Sequence, residues 1–90
     1  MSTRNDLLTF GDFIKNYRLG EEMSQTECAR FLNISRQRLC DIEKNRFNMS
    51  LKLCRKFARK IDVPPEWLAK LIIQEQIRKE RLKLLVKLVA

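Results

Sequence analysis

Residues Ser24–Arg46 read SQTECARFLNISRQRLCDIEKNR and resolve into two short helices with a tight turn between them. Ser24 with Glu27 three residues on is a capping box, which starts the first of the two. Cys28, Ala29 and Leu32 then recur at helical spacing and make one apolar face. Asn33 interrupts that pattern, and Asn is the residue best able, after Gly, to take a positive φ. Ser35 is a good N-cap for the second helix, whose apolar face is Leu39 and Ile42. Its exposed start is Arg36, Gln37 and Arg38, long donor-rich side chains that suit the edges of bases in a DNA major groove. The arrangement is a helix-turn-helix.

The flanking sequence supplies the rest of a small helical domain. Residues 1–8 read as a loose arm whose only basic residue is Arg4. Thr9 caps a helix, with Asp12 placed at its positive end and Leu8 and Phe13 at the spacing of a hydrophobic staple. Phe10, Ile14 and Tyr17 form its buried face, with Arg18 beside them, and the helix is expected to run to about Glu22. After Arg46 a loop reaches Ser50, which caps a fourth helix over about residues 51–61. That helix has Leu51, Cys54, Phe57, Ala58 and Ile61 on one side and Lys52, Arg55, Lys56 and Arg59 on the other. Together these elements make a domain over residues 9–63.

Asp62-Val63-Pro64-Pro65 breaks the helical pattern, and Pro65 suits the first turn of a further helix. From Glu66 there is no Gly or Pro to the end, so residues 64–90 form either one long helix or two broken near Gln74 to Arg81. This segment carries two apolar stripes. Trp67, Leu68, Leu71, Leu82, Leu85 and Val89 form one, and Ile73, Ile77, Leu84 and Leu88 form the other. One stripe can close the core of the domain. The other has nothing left in so small a chain to cover it, which marks an interface, and a homodimerisation segment is the expectation. Heptad spacing runs through Leu68, Leu71, Glu75, Arg78, Leu82, Leu85 and Val89, but two of these are charged, which argues against a regular coiled coil.

Ninety residues suffice for one modest core, and the formal net charge is +8. The charge is uneven: residues 1–35 carry net −1, residues 36–60 net +7 and residues 61–90 net +2. The positive field therefore starts at Arg36, and it points to an acidic partner, with nucleic acid first. The three cysteines, Cys28, Cys40 and Cys54, are odd in number and lack a C-x-x-C pair, and there is no His. This argues against a zinc site or a disulfide framework, and Cys28 and Cys54 read as small core residues. No apolar run resembles a signal peptide or a membrane span, so a cytoplasmic, reduced setting is expected.

Taken together, these residues resemble the Cro/C1-type helix-turn-helix family, the Xre class of bacterial and phage repressors, from about Phe10 to Ile61. The likeness rests on Ile14 and Arg18, on Ser24-Gln25-x-x-Cys28-Ala29, on Leu32-Asn33-Ile34-Ser35 and on Leu39-x-x-Ile42-Glu43, followed by a basic loop and an apolar fourth helix. Asn33 and Asn45 stand where Gly is common in the family, and Asn tolerates the same backbone. The resemblance implies an all-α, five-helix domain, here with a C-terminal helical extension, that binds a pseudo-palindromic double-stranded DNA operator as a homodimer. It implies base contacts from Arg36, Gln37 and Asp41, and phosphate contacts from Gln25, Arg38, Lys44, Asn45 and Arg46. It further implies a salt bridge between Arg18 and Glu43. Chemically, Arg36 can donate twice to a guanine and Gln37 can pair bidentately with an adenine. Asp41 fits only by accepting from cytosine or by orienting Arg38.

The leading functional expectation is thus a sequence-specific DNA-binding repressor that needs no cofactor and no metal. The alternative is an antitoxin that neutralises a protein toxin and represses its own operon, since Pro65-Glu66-Trp67-Leu68 resembles a run found in HigA-type antitoxins. Residues Arg78 to Val89 as a membrane-surface helix are disfavoured, because no aromatic follows Trp67 and Glu75 and Glu80 interrupt the positive face. An enzyme is not expected: there is no His, no Gly-rich phosphate loop and no nucleophile–base arrangement.

Overall fold

The computed structural model describes residues 8–89 of the chain, as five α-helices: α1 (Phe10–Gly20), α2 (Gln25–Leu32), α3 (Arg36–Glu43), α4 (Leu51–Ile61) and α5 (Pro65–Val89). The fold is all-α, and no strand occurs among the described residues. Residues 1–7 of the expected arm, Arg4 included, lie outside these residues, as does the side chain of Val89.

Local chemistry sets the helix boundaries. Thr9, Ser24, Ser35 and Ser50 are the N-caps of α1 to α4, each accepting from a backbone N–H three residues on. Thr9 with Asp12 and Ser24 with Glu27 complete capping boxes. The hydrogen bonds from Ser24 lower the Glu27 carboxyl below its ordinary value. This support for α2 is therefore present above the ordinary carboxylate range and is lost as pH falls through the depressed value. At the other ends, a left-handed residue turns the chain after each of these four helices: Glu22, Asn33, Asn45 and Asp62. The next residue in each case donates its N–H back to the carbonyl five residues earlier: Met23 to Arg18, Ile34 to Ala29, Arg46 to Asp41 and Val63 to Ala58. No glycine takes this role. The turn at Glu22 also ends α1 at Gly20, two residues short of the expected boundary.

The core collects one face from every helix: Phe10 and Ile14 from α1, Cys28, Ala29 and Leu32 from α2, Leu39 and Ile42 from α3, Cys54, Phe57 and Ala58 from α4. Burial raises the thiols of Cys28 and Cys54, as befits small core residues. Leu51 departs from the expected face of α4. It is the first residue of that helix and is 56% exposed, while Met49 in the preceding loop and Leu53 pack against the core.

Residues 65–89 form one helix, with no break near Gln74 to Arg81. Its first half closes the core on α4 and α1 through Leu68 and Ile72, both buried, with Leu71 alongside. Ile72 belonged to neither expected stripe, yet with Leu68, Leu71 and Glu75 it makes the i, i+3, i+4, i+7 face that meets the domain. Glu75 accepts the N–H of Phe10 at 3.4 Å, so a carboxylate of α5 sits at the positive end of α1. The charge that spoils the heptad pattern thereby has a structural use. Leu82 and Leu85 continue the first stripe in sequence but lie beyond the domain and are exposed.

Gly11 marks a close approach of α1 to the end of α3. A methyl group there would collide with the Ile42 carbonyl and would stand 2.7 Å from Asn45 Oδ1. The N–H of Gly11 donates to that same Oδ1 at 3.2 Å, which ties the start of α1 to the end of α3. Gly11→Ala should therefore destabilise the protein by about 1–3 kcal/mol, read as a lower midpoint in urea unfolding. The same substitution at Gly20, which has open space around it, should cost less than about 1 kcal/mol.

Candidate nucleic-acid interface

The helix α3 has 8 residues, too few to be stable alone, so its position depends on what holds it. Ser35 Oγ accepts from Arg38 N at 3.0 Å at one end, and Arg46 N donates to the Asp41 carbonyl at 2.8 Å at the other. Leu39 and Ile42 fix the inner face.

The strongest anchor is ionic. Arg18 Nε and Nη2 donate to the two carboxylate oxygens of Glu43 at 2.7 and 3.1 Å, and Nη1 donates to the Met23 carbonyl at 3.2 Å. The side chains are only 12% and 4% exposed. The bond to Glu43 raises Arg18 above its ordinary value against the opposing effect of burial, so the guanidinium stays charged. Gln25 Nε2 adds a third bond to Glu43, at 3.2 Å. One carboxylate thus joins α1, α2 and α3. The expected salt bridge is present, and the amide of Gln25 at the start of α2 is held by it. Nε2 carries two hydrogens, so this bond leaves one to offer outward.

Arg36, Gln37 and Arg38 are exposed at the start of α3, and Lys44 and Arg46 are exposed at its end. Their contacts differ from the sequence-based expectation in one respect. The Arg38 guanidinium lies over the Phe47 ring, 4.2 Å from its centroid. Asp41 instead accepts from Gln37 Nε2 at 3.2 Å and lies 3.8 Å from Arg46 Nε, so it does not orient Arg38. The reason is geometric: Gln37 is one helical turn before Asp41, and the left-handed Asn45 folds Arg46 back over the end of the helix. Asn45 is half-buried with its Oδ1 turned to Gly11. On α4, Lys52, Arg55, Lys56 and Arg59 are exposed.

Sequence reasoning missed Phe47 and Gly11 here. A lone aromatic in a polar loop and a Gly in the first turn of a helix were the available signals. Ile73, Ile77, Leu84 and Leu88 stand apart from this surface on α5, all exposed.

A sequence model of the helix-turn-helix family matches residues 14–68, more than half of the chain. The chain belongs to the Cro/C1-type helix-turn-helix family. It is accordingly a DNA-binding regulator, from a family of DNA-binding regulatory domains rather than of enzymes. The family match ends at Leu68, so the exposed part of α5 lies outside it. No curated protein and no solved structure is significantly similar to the chain. Among the described residues no helix is long and apolar enough to cross a membrane.

Because Glu43 neutralises a half-buried Arg and anchors three helices, Glu43→Ala should cost about 3–5 kcal/mol of stability in urea unfolding. Arg18→Ala should cost a similar amount, and the double variant should lose far less than the two together. Additive losses would show that the pair is not coupled.

Proposed function

We propose that this helix-turn-helix protein is a repressor that binds a pseudo-palindromic operator in double-stranded DNA as a homodimer. The observation that carries the reading is a short helix, fixed by the Arg18–Glu43–Gln25 cluster, whose exposed start presents Arg36 and Gln37 on the most positive part of the chain. Arg36 donates to a guanine edge and Gln37 pairs with an adenine, with Asp41 beside them in the groove. Gln25, Arg38, Lys44, Asn45 and Arg46 meet the phosphates that set the register. Two copies are needed because half-sites one DNA turn apart, about 34 Å, require two recognition helices at that spacing. The exposed Ile73, Ile77, Leu84 and Leu88 on α5 supply the surface on which two copies pair.

A second reading, an antitoxin that covers α5 with a toxin, is favoured by one observation. Over residues 76–88 the exposed apolar positions lie on both stripes, while five cations face the single Glu80. Pairing two copies along this segment brings like charges together, whereas an apolar groove with an acidic rim would not. Co-purification of the chain with a small acidic partner encoded beside it would select this reading; no toxin-like reading frame beside the gene and no co-purifying partner would reject it.

Gel-shift titration at about 150 mM salt tests the leading reading: at least tenfold preference for the operator over random DNA is expected, and equal affinity would overturn it. Arg36→Ala should lose about 1–3 kcal/mol of binding and relax preference at one base pair. Lys44→Ala should weaken all sequences alike and reduce the salt slope by about 1. Ile77→Asp with Leu84→Asp should leave the helical signal in circular dichroism unchanged, since both side chains are exposed, yet shift the dimer to monomer.

A further inference from the structure

We propose that Asp41 is a positioning residue that fixes which end of the Gln37 amide faces the DNA, and so makes Gln37 an adenine reader. The inference rests on the proposed reading of α3 as the recognition helix. A Gln amide has a donor end and an acceptor end, and exchanging them by rotation changes the base edge it matches. A carboxylate only accepts, so a carboxylate beside the amide selects one arrangement: the NH2 end must face it. Asp41 occupies that place. Its Oδ1 accepts from Gln37 Nε2 at 3.2 Å, one helical turn along α3.

With one Nε2 hydrogen committed to Asp41, the other hydrogen and Oε1 remain to face outward. That pair is the one that donates to N7 and accepts from the N6 amino group of adenine. The opposite orientation, which would present the amide differently to other bases, would set Oε1 against the carboxylate and is repelled. Asp41 is held in turn. Arg46 Nε lies 3.8 Å from the same Oδ1, and Arg46 N donates to the Asp41 carbonyl at 2.8 Å, so the loop after α3 stands behind the carboxylate. The Arg46 charge also offsets the repulsion between Asp41 and the phosphates, which explains how an acidic side chain, 33% exposed, is accommodated on this surface. Arg38 is drawn aside onto Phe47 and does not compete for the carboxylate.

The test is binding-site selection from a random DNA pool with the full chain, followed by titration of the selected site and its substitutions at each base pair. The variants are Gln37→Ala, Asp41→Asn, Asp41→Ala and the double variant Gln37→Ala/Asp41→Ala, each checked for an unchanged melting temperature. Asp41→Asn keeps the shape but can either donate or accept, so it releases the amide. Both single Asp41 variants should lose about threefold to tenfold of the discrimination at the base pair read by Gln37, while affinity for random DNA holds or rises. In the Gln37→Ala background, removing Asp41 should change discrimination no further. Unchanged discrimination in Asp41→Asn and Asp41→Ala overturns the proposal, as does a loss at a different base pair or one that adds to the Gln37→Ala loss, which would make Asp41 a base contact itself. If the wild-type chain selects no sequence at all, the recognition-helix reading fails first, and this one with it.

Discussion

The Glu43 carboxylate is the point on which the arrangement depends. It takes two bonds from Arg18 and one from Gln25 in a place that is almost dry, and so joins the first three helices by their side chains rather than by apolar packing alone. Apolar contact is non-directional and would allow α3 to slide or rotate by small amounts. A bidentate Arg–carboxylate bond has fixed geometry and does not. For a helix that must present a few side chains to base edges, that directional constraint matters more than any stabilisation it adds, which against two desolvated charges is small.

Around this anchor, short helices begin and end on local chemistry. Hydroxyl caps start four of them, and left-handed residues end the same four with a carbonyl-capping N–H. The left-handed residue after α3 has a further effect, because it returns Arg46 to the side of Asp41 and brings Phe47 under Arg38. A backbone feature thereby sets the contacts of the candidate base- and phosphate-reading side chains.

The fifth helix divides into two physical regimes. Its first half is part of the core, held by Leu68, Ile72 and the bond from Phe10 to Glu75. Its second half leaves the domain with aliphatic side chains exposed. The two regimes belong to one continuous helix, so the exposed aliphatic stretch begins where the core-packed face ends.

The caps, the Asn turns and the apolar spacings of α1 to α4, Leu51 apart, were legible in the sequence because each depends on residues within one or two helical turns. The family likeness, resting on several such motifs together, was legible for the same reason, and so was the positive field that begins at Arg36. Contacts between residues distant in the chain were not. The need for Gly11 arises from the Ile42 carbonyl, 31 positions away, and the use of Glu75 from the N–H of Phe10, 65 positions away. Ile72 escaped notice because a helix with apolar residues on two sides gives no periodic signal of which side meets the domain. Asp41 could be placed on α3, but its nearness to Arg46 rather than Arg38 was not legible, since it depends on where the loop goes after Asn45. Sequence alone determined the first four elements and where they start, through local hydrogen bonding and spacing. Tertiary structure decided which charged and polar side chains meet, because that depends on how the elements pack.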